Sequence, residues 1–152
     1  MMIAEFLWTG AVDWKIRLLI LSLAGQMILT IWLYGKMSKA RMSAGREGKI
    51  TAETYRVVGA EPPELAIYTR AVANQFELPV MFYAVVIAGL AIGTSSWITV
   101  VLALAFVALR FVHAQEMVSE NKVMTRRKKF LYSVRVFIIL LVEFVFSAMV
   151  FI

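Results

Sequence analysis

The sequence predicts an all-α integral membrane protein, a four-transmembrane-helix bundle in one domain spanning residues 1–152. Three observations carry this prediction. The chain is 61% hydrophobic and 17% charged, whereas soluble domains are about 45–50% apolar and about 25% charged. Four apolar runs each have roughly the 20 residues that a spanning helix needs. Most basic residues fall in two loops between those runs, which is how a topology signal is distributed.

The first run extends from Ile16 to Tyr34. It is too long for the apolar part of a typical signal peptide, and no small-x-small cleavage site follows it. It is therefore expected to be a retained helix. The loop from Gly35 to Glu64 carries Lys36, Lys39, Arg41, Arg46, Lys49 and Arg56. Gly45, Gly48, Gly59 and the Pro62-Pro63 pair make it partly irregular.

The second run, Leu65 to Thr94, opens with Arg70, Asn74 and Glu77 at i, i+4 and i+7. A helix stacks these on one face. Ionisable groups at membrane depth are costly, so they are expected to be paired and buried in protein, as a site or a polar interface. Pro79 cannot donate to the carbonyl of Gln75 and should kink the helix beside the stripe. Gly89 and Gly93 have the spacing that permits close helix approach.

The third run is Trp97 to Val118, and its last turns carry Arg110 and His113 on one face. Lys122, Arg126, Arg127, Lys128 and Lys129 follow it. The fourth run is Phe130 to Ile152. Glu143 lies about 20 Å along it at 1.5 Å per residue. There it should be protonated or face protein. Trp14, Trp32, Tyr34, Trp97 and Tyr132 stand near run ends, as in an interfacial aromatic belt.

The two basic loops should share one side of the membrane. The positive-inside rule makes that side cytoplasmic, with both termini outside, although Lys15 and Arg17 weigh against this. The net charge of +6 is thus read as lipid-facing, and nucleic acid is not an expected partner. With no cysteine and one histidine, disulfides, thiol catalysis and a metal centre are not expected. Arg70, Asn74, Arg110, His113 and Arg126 or Arg127 should gather around a cavity at the basic end. Such a cavity suits an anionic water-soluble molecule meeting an apolar one.

Arg70-x-x-x-Asn74-x-x-Glu77-x-Pro79-x-x-Phe82 resembles the second-helix signature of the MAPEG family, membrane-associated proteins in eicosanoid and glutathione metabolism. The similarity extends to chain length, four spans, the basic first loop, Arg110-x-x-His113, and Arg126 at the fourth helix. It implies a bacterial-type member in the inner (cytoplasmic) membrane. It further implies a homotrimer with glutathione as co-substrate between neighbouring subunits, used against lipophilic electrophiles or peroxides. By this resemblance Arg126 stabilises the thiolate, with Arg127 as substitute if the register slips. Glu77 takes the ammonium beside Asn74, and Arg70, Arg110 and His113 hold the peptide. Three positions depart from the family's enzymatic pattern: Ala73 where a second arginine is common, and Met117 and Phe130 where tyrosines are common. The family also includes non-catalytic members, so a lipid-binding or accessory subunit of a larger membrane complex is the alternative.

Overall fold

A computed structural model describes residues 14–56 and 59–151. The two ends whose sidedness the charge pattern addresses, residues 1–13 and Ile152, lie outside the described residues. The described chain forms α1 (Trp14–Arg46), a 3-10 turn (Ala52–Tyr55), α2 (Pro63–Ala73), a second 3-10 turn (Asn74–Phe76), α3 (Leu78–Ile92), α4 (Trp97–Val118) and α5 (Val123–Phe151). Four stretches are long and apolar enough to cross a membrane, with α2 and α3 together forming the second. There is no strand among the described residues.

α1 continues well past Tyr34, where its apolar run ends. Residues 35–46 contain no proline and are rich in Lys, Met, Ala and Arg, which favour helix. The apolar pattern marks the edge of the bilayer, not the end of the helix. The stop comes at Gly48, whose φ of 70° is in the left-handed region that glycine adopts without strain. Lys49 N–H donates to Ala44 O at 2.9 Å and Gly48 N–H to Gly45 O at 3.1 Å, the paired bonds of a Schellman cap. α5 likewise begins at Val123, one and a half turns or more before Phe130. Arg126 to Lys129 are therefore helical and not in a loop. Tyr132 accordingly lies about 14 Å along α5, two residues into its apolar run.

The second span is interrupted where Pro79 requires it. After Ala73 the chain makes one 3-10 turn, passes through Glu77 at φ −105° and ψ −107°, and restarts as α3 with Pro79 in its first turn. The interruption is wider than a kink, because three residues change helix type. At the far end Gly93 caps α3 with φ 74°, and Thr94 N–H donates to Gly89 O at 3.1 Å. Gly93 is thus a cap and not half of a helix-approach motif. A Cβ on Gly89 would meet only the Phe144 ring, Cδ2 at 3.6 Å and Cε2 at 3.9 Å, both ordinary contacts. The close glycine contact lies elsewhere, at Gly25, where a Cβ would stand 3.3 Å from Val107 Cγ1. Gly93→Ala should therefore lower stability by about 1–2 kcal/mol, from left-handed strain, while Gly89→Ala should be close to neutral. Thermal unfolding of the two variants in one detergent checks the contrast.

The core is an aromatic ladder across three helices. Phe82 stacks on Phe106 at 4.5 Å between centroids, and Phe106 meets Phe137 at 6.0 Å. Leu19, Val86, Val100, Ala103 and Leu140 complete this layer. A second layer of Leu29, Leu33, Ala71, Val72, Ala114 and Met117 lies nearer the basic loops. Gln26 and Gln75 are buried as a pair. Gln26 Nε2 donates to Gln75 Oε1 at 2.9 Å, and Gln75 Nε2 to Ala71 O at 3.0 Å. Such amide bonds hold helices together where the apolar surroundings exert no driving force of their own.

Both basic loops lie at one end of the bundle, as their charges predict. Arg41 near the end of α1 pairs with Glu61 at 2.8 Å and donates to Thr69 of α2 at 3.0 Å. Glu116 near the end of α4 pairs with Lys129 near the start of α5 at 2.8 Å. The Gly93–Ser96 turn lies at the other end. There Ser96 caps α4, and Ser96 Oγ and Thr99 Oγ1 donate to Glu143 at 2.6 and 2.8 Å. Glu143 faces protein, as expected. It lies level with a turn, not deep in the span, because α5 starts earlier than its apolar run.

Glu61 supplies a pH handle on the first loop. Burial works to raise its pKa, but hydrogen bonds from Arg41 and Thr69 and the charge of Arg41 outweigh this and hold it below its usual 4.5. A depressed carboxylate contributes stability above its unfolded pKa and loses it as pH falls through the folded value. The Arg41–Glu61–Thr69 latch should therefore persist at neutral pH and open on acidification below about 4.5. Protection of the amides in residues 51–56, taken relative to their intrinsic exchange rate at each pH, should fall over that window. Glu61→Gln should raise exchange at neutral pH and flatten the dependence.

Candidate functional site

At the basic end, the interrupted second span, α4 and α5 enclose a cavity of about 470 Å³. The interruption presents Arg70, Ala73, Asn74 and Glu77 to it, α4 presents His113 and Met117, and α5 presents Val123, Arg126, Arg127 and Phe130. Six of the seven residues singled out from the sequence therefore line one cavity.

The seventh, Arg110, does not. It is fully buried beside the cavity, and one terminal nitrogen donates to Asn74 O at 2.9 Å. That carbonyl belongs to the turn where the helix is interrupted, so Arg110 braces the interruption. Its Nε and Nη1 have no hydrogen-bond partner.

Burial of the Arg70/Asn74/Glu77 stripe is not what the subunit shows. Arg70 and Glu77 are exposed on its surface and Asn74 is half-buried. Neither Arg70 nor Glu77 forms an ion pair among the described residues. The i, i+4, i+7 argument assumed a continuous helix. The three still share one face, because all of them line the open cavity, and that is why they are exposed, while Gln75 between them enters the bundle.

His113 is nearly buried at 4% exposure, and its Nδ1 lies 3.2 Å from Arg126 O. A carbonyl only accepts, so Nδ1 carries the proton. Nε2 is then a buried acceptor without a donor. The ring is tilted against Phe130 at 5.5 Å. Arg126 donates to the side-chain oxygen of Asn121, a residue held at φ 50°. This neutral partner orients the guanidinium without cancelling its charge. Glu116, the other nearby acid, is occupied by Lys129. The cavity thus carries Arg70, Arg126 and Arg127 against Glu77 alone.

A family model described as the MAPEG family matches residues 19–146, most of the chain. This chain belongs to the MAPEG family. No curated protein and no solved structure matches it. The match reaches into all four spans of the MAPEG chain and includes every residue that lines the cavity.

Three features of the MAPEG chain's site escaped sequence reasoning: Asn121, the Gln26–Gln75 pair, and Val123, which joins the already noted Met117 and Phe130 in an apolar wall. A signal existed for the glutamines. An amide within an apolar run needs a partner, and Gln75 lies inside the second-helix motif. Asn121 carried no comparable signal, since an asparagine in a turn is ordinary.

Proposed function

We propose that this protein is a glutathione-dependent transferase or peroxidase acting on lipophilic electrophiles within the membrane. One observation carries the reading: Arg70, Arg126 and Arg127 face an open cavity in which one carboxylate, Glu77, opposes them. Like charges held together favour an anionic guest. Glutathione has two carboxylates, an ammonium and a thiol. Guanidinium forks suit its carboxylates, and Glu77 suits its ammonium. A guanidinium beside the thiol lowers its pKa and raises the thiolate fraction, the role we give to Arg126 with Arg127 as substitute. The wall of Val123, Met117 and Phe130 suits the apolar electrophile. By the family resemblance the working form is a homotrimer in a bacterial inner membrane. Basic loops toward the cytoplasm follow from the positive-inside rule.

The test is calorimetric titration of the purified protein with glutathione, paired with conjugation of a chlorodinitrobenzene. Arg126→Ala should weaken binding or turnover by roughly 10- to 150-fold, the equivalent of one charge-assisted contact of about 1.5–3 kcal/mol. Absence of binding at millimolar glutathione would remove the reading.

A second reading has its own observation. Ala73, Met117 and Phe130 all lie in the cavity wall, so three places that could bear polar contacts are apolar. That favours a non-catalytic subunit whose cavity holds a lipid or serves a larger membrane complex. Native mass analysis after mild extraction separates the two readings. Retained lipid or partner with no glutathione binding supports the second.

A further inference from the structure

Arg135 is exposed on α5 and forms no ion pair among the described residues. Its guanidinium lies 5.7 Å from the Tyr132 ring centroid. Lys128, one turn before Tyr132, is likewise exposed and without an ion pair among them. The acids nearest along the chain are engaged elsewhere. Glu116 pairs with Lys129 and Glu120 with Lys122, while Glu143 accepts from Ser96, Thr99 and Ser147.

Lys128, Tyr132 and Arg135 stand at i, i+4 and i+7, so α5 gathers them within a sector of about 60°. That sector faces away from buried Ser133, Phe137 and Leu140. It also faces away from Arg126 and Phe130, which line the cavity. Exposed Met124, Ile139 and Val142 continue it along the helix. The face is therefore apolar for most of its length, with two cations and a phenol at its basic end.

Depth explains why an arginine is tolerated there. The apolar run of α5 opens at Phe130. At 1.5 Å per residue, the Lys128 backbone is about 3 Å outside that edge and the Arg135 backbone about 7–8 Å inside. Side chains on a helix tilt toward its N-terminus, which for α5 is the basic end. Arg135 leans this way, over Tyr132. Its stem lies along apolar surface while the guanidinium rises toward the headgroups. A charge at depth is costly, and the phosphate level relieves it. Lys36, over Trp32 at 5.4 Å on α1, differs because it already stands beyond its apolar run.

We propose that the Lys128–Tyr132–Arg135 face of α5 binds the phosphate of an anionic phospholipid. A guanidinium and an ammonium suit a phosphodiester, and the phenol is a third donor. Two cations with no acid between them repel the ammonium of a zwitterionic headgroup, so a headgroup of net negative charge is favoured. The face lies behind the helix that carries Arg126, Arg127 and Phe130 to the cavity, so this lipid is distinct from any molecule inside the cavity. Its binding does not depend on glutathione, and its test stands apart from that of the proposed function.

The full-length protein in mild detergent is titrated with phosphatidylglycerol or with phosphatidylcholine, and bound lipid is counted by native mass analysis. Preferential retention of phosphatidylglycerol is expected. Lys128→Gln with Arg135→Gln should weaken that retention roughly 30-fold, from about a fivefold share for each cation. Arg56→Gln with Lys122→Gln removes the same charge off this face and should keep the preference. Equal retention of both lipids by the parent overturns the proposal. So does a preference that survives in the first double variant, or one lost equally in the second. A second arm needs no variant: phosphatidylglycerol with a photoreactive headgroup should label the parent within residues 124–135, and label confined to other helices overturns the proposal. If Arg135→Gln instead dissolves an oligomer that the parent forms without added lipid, the face belongs to another protein chain and the proposal fails.

Discussion

Arg110→Ala should lower the stability of the folded subunit by about 2–5 kcal/mol, the range for emptying a large buried site. Arg110 is the largest fully buried side chain in the described structure and donates to Asn74 O. Its removal leaves a void in the bundle and takes away the guanidinium that ties α4 to the Asn74 carbonyl at the helix interruption. Arg110→Lys should recover little, because a lysine cannot reproduce the planar fork. Unfolding in detergent with a denaturant gradient measures the effect. If stability is unchanged and ligand affinity alone falls, Arg110 belongs to the cavity and not to its support. If stability falls, any loss of ligand affinity in this variant follows from disorder of Asn74 and Glu77.

Phe106→Ala should have an effect of similar size, about 3–5 kcal/mol. Phe106 is fully buried and is the middle ring of the ladder, with Phe82 of α3 on one side and Phe137 of α5 on the other. In a lipid setting the loss is mainly of packing, since the apolar surroundings offer little transfer gain. The ladder fixes α3 and α5 against α4 below the cavity. Phe106→Leu should therefore be milder than Phe106→Ala, and thermal unfolding of both in the same lipid gives the order. Equal stability of all three proteins would mean that the ladder contributes nothing.

The four spans were legible because the bilayer imposes length and apolarity on each of them. The paired basic loops were legible because lysine and arginine mark one end. The cavity was legible because Arg70, Asn74, Glu77, His113 and Arg126 are polar residues at matching depth. The helix ends were not, because Lys36 to Arg46 and Val123 to Lys129 are helical without being apolar. The exposure of the second-helix stripe in the subunit was not legible, because a polar face at that depth can border an open cavity as readily as the bundle core. Proline announces that a helix is disturbed but not how many residues the disturbance takes, and here it takes Asn74 to Phe76. Arg110 could not be placed from spacing, since the same i, i+3 relation with His113 serves a residue in the cavity wall or one beside it. Glu143 found its partners in Ser96 and Thr99, and such long-range hydroxyl contacts leave no trace in one sequence.

The overhang of α1 has a kinetic consequence. The helix runs about 18 Å past Tyr34 at 1.5 Å per residue, carrying Lys36, Lys39, Arg41 and Arg46 at the end of the bundle where the cavity lies. An anion diffusing from water meets this positive post before it meets the cavity. The field acts over about a Debye length, roughly 8 Å at physiological salt, so it changes how often the anion arrives and not how long it stays. Raising salt should slow capture of an anionic ligand, and its dwell time, set by direct contacts inside the cavity, should change far less.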